Sequence, residues 1–92
     1  MDWSERIGRR LKPRDLHIFL AVAEHGSMAK AAESLAISRP VVSKTIADLE
    51  QTLGVRLLDR TANGVEPTQF GQALLKRSLA VFDELRQSVK EI

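Results

Sequence analysis

The residue pattern predicts a mainly α domain: three helices and a short β-hairpin, followed by one long C-terminal helix. Three observations predict it. Apolar residues recur at helical spacing in three successive segments, each bracketed by a residue that caps or stops a helix. Asn63-Gly64 then stands between Val55, Leu57 and Leu58 on one side and Val65 on the other, a hairpin signal. After Thr68, apolar residues repeat every seven positions to the end of the chain.

The first helix is expected to begin near Asp15, whose carboxylate can cap it, and to bury Leu16, Phe19, Leu20 and Ala23 at i, i+3, i+4, i+7 spacing. Gly26 suits a left-handed C-cap. Ser27 is a favoured N-cap for the second helix, "MAKAAESL", whose central Ala31 and Ala32 let a crossing helix come close. "AIS" is a short turn, Ser38 caps the third helix, and Pro40 falls in its first turn, where a missing N–H is tolerated. Gly54 ends that helix after Leu53. The hairpin is expected to have a loop of several residues, and Pro67 limits its second strand to an edge or ends it. Thr68 caps the last helix. There Leu75, Phe82 and Val89 form one heptad series and Ser78, Leu85 and Ile92 its companion, a seam for another helix. Phe70, Leu74 and Val81 lie off that seam and are expected to pack on the body. Two helices joined by a tight turn and followed by a hairpin make a winged helix-turn-helix.

Composition removes other classes. With 92 residues this is one domain or a piece of a larger protein. A core of this size gains stability from a partner subunit. There are no cysteines, so disulfides and thiolate metal sites are excluded, and His17 and His25 do not make a metal site. No apolar run approaches the roughly 20 residues of a membrane span. Arg9 and Arg10 interrupt any signal-peptide pattern, which points to a reduced, cytoplasmic compartment. Nothing resembles a catalytic constellation: Asp48 and Glu50 stand two apart on a helix and do not face each other, and no glycine-rich phosphate loop is present. No cofactor is called for.

The third helix, residues 39–53, carries the functional signal. With Val42, Ile46, Leu49 and Leu53 inward, its outer face shows Pro40, Ser43, Lys44, Ala47 and Gln51. Residues 36–47 contain Arg39 and Lys44 and no acid, although the net charge of the chain is only +2. A plain solvated face would be rich in Glu and Lys. Compact residues with hydrogen-bonding tips suit a helix whose backbone must approach base edges in the major groove, with the preceding helix crossing the phosphates.

The stretch "GSMAKAAESLAISRPVVSKTIADLEQTLGVRLLDRTANGVEPTQFGQALL" resembles the N-terminal domain of LysR-type transcriptional regulators. A Ser-capped helix with paired Ala is followed by Ser-x-Pro, Ser plus a basic residue, Leu-Glu, Leu-Gly-Val-x-Leu, Arg-Thr, and Thr-x-x-Gly. The resemblance covers about residues 14–92. It implies a bacterial repressor or activator that binds operator or promoter duplex DNA. It implies a homodimer through the long linker helix, a tetramer being open to the full-length protein, and an effector-sensing domain absent from this chain. On that basis residues 1–13 are a basic N-terminal extension. Residues 14–67 are the winged helix-turn-helix, with the helix-turn-helix at about 28–47 and the wing at about 55–67. Residues 68–92 are the linker helix. Carried over residue by residue, the groove contacts fall on Ser38, Arg39, Pro40, Ser43 and Lys44. The wing contacts fall on Arg60, Thr61 and Asn63. The dimer contacts, read from the heptad seam rather than carried over, are Leu75, Phe82, Leu85, Val89 and Ile92. The chain departs from the family in four places. Arg39 stands where Gln is usual, which shifts preference from adenine toward guanine or phosphate. Thr45 replaces a common Gln, Pro67 replaces a common Leu, and the basic leader is longer.

Other readings stand beside these. Residues 1–13 form either a short amphipathic helix through Trp3, Ile7 and Leu11 or a basic tail. Lys30 is a phosphate contact or a solvated lysine. Arg56, just before the wing, contacts DNA or pairs with Asp59 or an acid of the linker helix. The whole domain is either a sequence-specific DNA binder or a winged-helix interaction module with no DNA role; the acid-free leading end with Arg39, Lys44 and Arg60 favours the first.

Overall fold

The computed structural model describes Ile7 and residues 10–92. Most of the segment read as helix or tail, Trp3 included, lies outside the described residues. Six elements follow in order: α1 (Pro13–His25), α2 (Met28–Leu35), α3 (Arg39–Leu53), β1 (Leu58–Thr61), β2 (Gly64–Pro67) and α4 (Gln69–Glu91).

α1 starts earlier than expected and without Asp15 as its cap. Pro13 opens it, its fixed φ and missing N–H suiting a first turn. The backbone carbonyl of Lys12 accepts from the amides of Asp15 and Leu16 at 3.0 and 3.2 Å. Asp15 instead lies in the first turn, where its charge complements the helix dipole. The buried arc is also wider than a single stripe. Leu16, Ile18, Phe19, Ala21 and Val22 are buried, whereas Leu20 and Ala23 are half-buried. The reason is position: α1 packs against α2, α3, β2 and α4, so more than one of its sides faces protein.

Ala31 and Ala32 are buried in α2, and their small side chains let α2 lie close to α1 and α3. Ser27 Oγ accepts from the Lys30 amide at 3.2 Å, and Ser38 Oγ accepts from the Val41 amide at 3.3 Å. Between the two helices Ala36 takes the left-handed backbone at φ 56°, a conformation that residues other than Gly and Asn seldom adopt. The Ile37 amide closes this turn on the Ala32 carbonyl at 3.0 Å. Val42, Ile46 and Leu49 complete the core from α3.

The wing is tighter than expected. Thr61 pairs with Gly64, leaving a loop of two residues, Ala62 and Asn63. Gly64 is therefore in the strand, not the turn, with φ 142°. A Cβ there would fall onto the Gly26 carbonyl oxygen, because the wing lies directly on the α1–α2 turn. The Val65 amide donates to that same carbonyl at 3.0 Å. Pro67 ends β2, opposite Leu58.

The approach to the wing is clamped from two sides. Glu50 Oε2 of α3 accepts from the amides of Leu57 and Leu58 at 2.7 and 3.3 Å. The Leu57 carbonyl accepts from the Thr68 amide at 2.9 Å, and Thr68 Oγ1 donates to the Arg56 carbonyl at 2.6 Å while accepting from Gly71 at 3.1 Å. Gly71 lies so close that a Cβ would meet the Leu57 carbonyl.

α4 departs from the expected division of its faces. Phe70 and Val81, expected to pack on the body, are exposed, and Leu74 alone of that set packs against the core. Leu75 and Phe82 of the expected seam turn toward their own chain: Leu75 packs on the core, and Phe82 meets His17 of α1 edge-to-face at 5.9 Å. Ser78 is buried between them, without a hydrogen-bond partner among the described residues. From Asp83 on every residue of α4 is exposed whatever its place in the repeat, so the helix has run past the body, and a drift of about 20° per heptad is too small to account for it.

Removing the Glu50 carboxylate leaves two partly buried amides without an acceptor. Glu50→Ala is expected to lower stability by about 1.5–3 kcal/mol, a charged acceptor's contribution. Glu50→Gln, which keeps one acceptor oxygen, is expected to lose less. Thermal melts followed by circular dichroism check this; an unchanged melting temperature in Glu50→Ala would show that the clamp is dispensable.

Candidate nucleic-acid interface

α3 offers one exposed face, and the caps fix where it points. Ser38 holds the helix start with its lone pairs, which leaves its hydroxyl proton free to donate outward. Arg39, Pro40, Ser43, Lys44, Ala47 and Gln51 are all exposed. Thr45 is not among them. It is buried beside Ile46 and Leu49, so its departure from the family's usual Gln bears on packing rather than on the outer face.

Two polar side chains on this face have partners. Ser43 Oγ donates to Met28 Sδ of α2 at 3.4 Å, which fixes its rotamer against the preceding helix. Lys44 Nζ reaches Asp48 Oδ2 at 2.9 Å, with both side chains well exposed. The hydrogen bond to Asp48, reinforced by its charge, raises the Lys44 ammonium above its ordinary value. The pair lies one turn apart on the outer face and is screened by water, so a phosphate or base edge can displace Asp48.

The wing brings a second set of groups to the same place. Arg60 projects from β1 opposite Val65, and Thr61 Oγ1 accepts from the Asn63 amide at 3.3 Å, shaping the tip. All three of Arg60, Thr61 and Asn63 are exposed. A cleft of about 190 Å³ between α3 and the wing is lined by Ser43, Ala47, Glu50, Arg56 and Arg60 among others. Ser43 of the groove set and Arg60 of the wing set thus line the same cleft. Arg56 lines the same cleft; its Nε pairs with Asp59 at 3.4 Å and its Nη2 donates to the Leu58 carbonyl at 3.4 Å. The local pair is thus formed, on side chains as exposed as those of Lys44 and Asp48.

The residues set out as dimer contacts divide. Leu75 and Phe82 are half-buried in their own chain, whereas Leu85, Val89 and Ile92 are exposed. From Asp83 to Ile92 every residue is exposed. Leu79 and Val81 add apolar surface that the heptad series did not include.

Among the described residues no cluster of His, Cys, Asp or Glu could hold a metal ion, and no helix is long and apolar enough to cross a membrane. The sequence reasoning missed the Glu50 clamp and the Lys44–Asp48 pair. The second was detectable from the i, i+4 spacing of opposite charges. The first joins residues seven apart through a turn and has no periodic signature.

The family model for bacterial regulatory helix-turn-helix proteins of the lysR family matches residues 13–72. The chain is 40% identical over 86 residues to the HTH-type transcriptional regulator PcaQ of Agrobacterium fabrum, covering 94% of this chain and 28% of PcaQ. The DNA-binding domain of CbnR, solved as a DNA complex, superposes with a TM-score of 0.82 at 37% identity, covering 88% of this chain and 93% of that one. The DNA-binding domain of BenM, solved with benA site 1 DNA, gives a TM-score of 0.84 at 33% identity over 88% of this chain and 94% of that one. The chain spans only 24–30% of the length of the curated full-length regulators it matches first. A winged helix-turn-helix with a projecting fourth helix, matched by sequence across most of its length, belongs to the LysR family of bacterial regulators.

Proposed function

We propose that this chain is the sequence-specific DNA-binding unit of a bacterial transcriptional regulator acting in the cytoplasm. One observation carries the reading: Arg39, Pro40, Ser43 and Lys44 are all exposed on α3, and Ser43 shares a cleft between helix and hairpin with Arg60 of the wing. The DNA complexes of CbnR and BenM, which share this fold at 33–37% identity, support it.

In this reading α3 enters the major groove with its N-terminal end leading. Arg39 has no ion-pair partner among the described residues, so its planar fork is available to guanine O6 and N7. Pro40 and Ala47 keep the helix surface low, and Ser43 stays fixed by Met28. Lys44 exchanges Asp48 for a phosphate or base acceptor. Arg60, Thr61 and Asn63 of the wing meet the neighbouring backbone or minor groove. The exposed half of α4 pairs with that of a second copy through Leu85, Val89 and Ile92, which sets the spacing of two recognition helices. Leu75 and Phe82 stiffen the root of that helix on its own domain. The chemistry needed is positioning and charge, with no cofactor.

Arg39→Ala is expected to weaken the preferred site by roughly 1–3 kcal/mol and to flatten preference at one base pair. Lys44→Ala, if its contact is a phosphate, weakens all sequences alike. Selection of binding sites from a random pool with each variant checks this; an unchanged consensus after Arg39→Ala would remove the base-reading role.

For the dimer, Leu85→Gln with Val89→Gln touches only exposed residues, so the fold is expected to survive. The variant should sediment as a monomer where the wild type is a dimer. It should also lose far more affinity for a paired site than for a lone half-site. Equal losses on both, with unchanged sedimentation, would take the interface away from this face.

A further inference from the structure

α3 has a second cleft beside it. At about 100° per residue, Ser43, Ala47 and Glu50 turn toward the wing, while Asp48, Gln51 and Thr52 turn toward the opposite flank of the same outer face. On that flank a cleft of about 360 Å³ is lined by Asp48, Gln51 and Thr52 together with Arg10, Lys12 and Asp15. The segment before α1 is seated there by its own packing. Leu11 lies against the hydrophobic core, and the amides of Arg10 and Leu11 both donate to the Ile7 carbonyl at 2.9 Å. Arg10 and Lys12, on either side of that anchor, are exposed. Among the described residues neither has a carboxylate within ion-pair distance, and Asp48 is already held by Lys44.

We propose that Arg10 and Lys12 form a second phosphate-contact strip for duplex DNA, flanking the recognition helix on the side opposite the wing. The inference rests on the reading of α3 as the groove helix and extends it. A helix with its side chains is about 10–12 Å across and the major groove about 12 Å wide, so a helix lying in it has a phosphate wall on each side. The wing puts Arg60 beside one wall. The anchored leader puts two cations beside the other, at the half of α3 that carries Gln51 rather than the half that carries Arg39. Such contacts fix register and add affinity without reading sequence.

The test is a titration of a random-sequence duplex against salt, with wild type, the double variant R10Q/K12Q, the charge-preserving exchange R10K/K12R, and R60Q. Each lost phosphate contact lowers the slope of log affinity against log salt by about 0.9. The double variant is expected to lose about two contacts' worth of slope and R60Q about one, and R10K/K12R to keep the wild-type slope. Melting temperature and selected consensus should be unchanged in R10Q/K12Q. A wild-type slope and affinity in R10Q/K12Q, with R60Q reduced, would overturn the strip alone. Loss of slope in R10K/K12R as well would reduce the two residues to a structural role and overturn it too. A wild type that binds no duplex would remove both the strip and the reading beneath it.

Discussion

The backbone around Leu57 is where three functional parts meet. Its N–H belongs to α3 through the Glu50 carboxylate, and its carbonyl belongs to the start of α4 through the Thr68 amide. Gly71 must lack a side chain for the two elements to come that close. The side chain of Leu57 is itself buried in the core. A shift of this residue would therefore move the wing against the recognition helix and the long helix against both. The second anchor, Val65 on the Gly26 carbonyl, ties the wing tip back to the α1–α2 turn. Between these two anchors the hairpin has little freedom, which matters because a two-stranded hairpin alone is marginal in water.

That rigidity is what makes the outer surface useful. Groove recognition needs side chains held in register by elements that do not themselves move. Here Ser38 is fixed by its capping bond, Ser43 by Met28, and Arg60 by its place in a clamped strand. The cations are treated differently. Lys44 rests on an exposed carboxylate that it can leave, and Arg39 has no partner among the described residues. A surface with rigid small residues and releasable charges suits a phosphate-lined groove. At the end of α4, Leu85, Val89 and Ile92 stand free of the body, which leaves their apolar surface for the dimer contact proposed above.

The helices and their caps were legible in the sequence because they depend on neighbours three or four residues away. Ser27, Ser38 and Thr68 cap as expected, and Gly26 and Gly54 end their helices. The outer face of α3 was legible for the same reason. Failures came where a contact joins distant segments. Asp15 lost the cap to the geometry of Pro13, and α1 buries a wider arc than one stripe because it packs on four neighbouring elements. Gly64 read as a turn residue and instead serves a close approach to Gly26, thirty-eight positions earlier in the chain. The heptads of α4 gave a true apolar pattern but could not say which end of it the chain keeps for itself. Arg10 and Lys12 read only as a basic leader, since nothing in their spacing shows that Leu11 anchors them beside Gln51.

The central claim is that α3 reads the major groove in two copies at once. Methylation interference at guanine N7 on a site selected by the wild-type chain tests it most directly, because that atom lies in the major groove where Arg39 would bind. The account predicts two clusters of interfering guanines related by a twofold axis, one helical turn of about 10–10.5 base pairs or a multiple of it apart. Interference at a single cluster, or none at N7 on a tightly bound site, would contradict it.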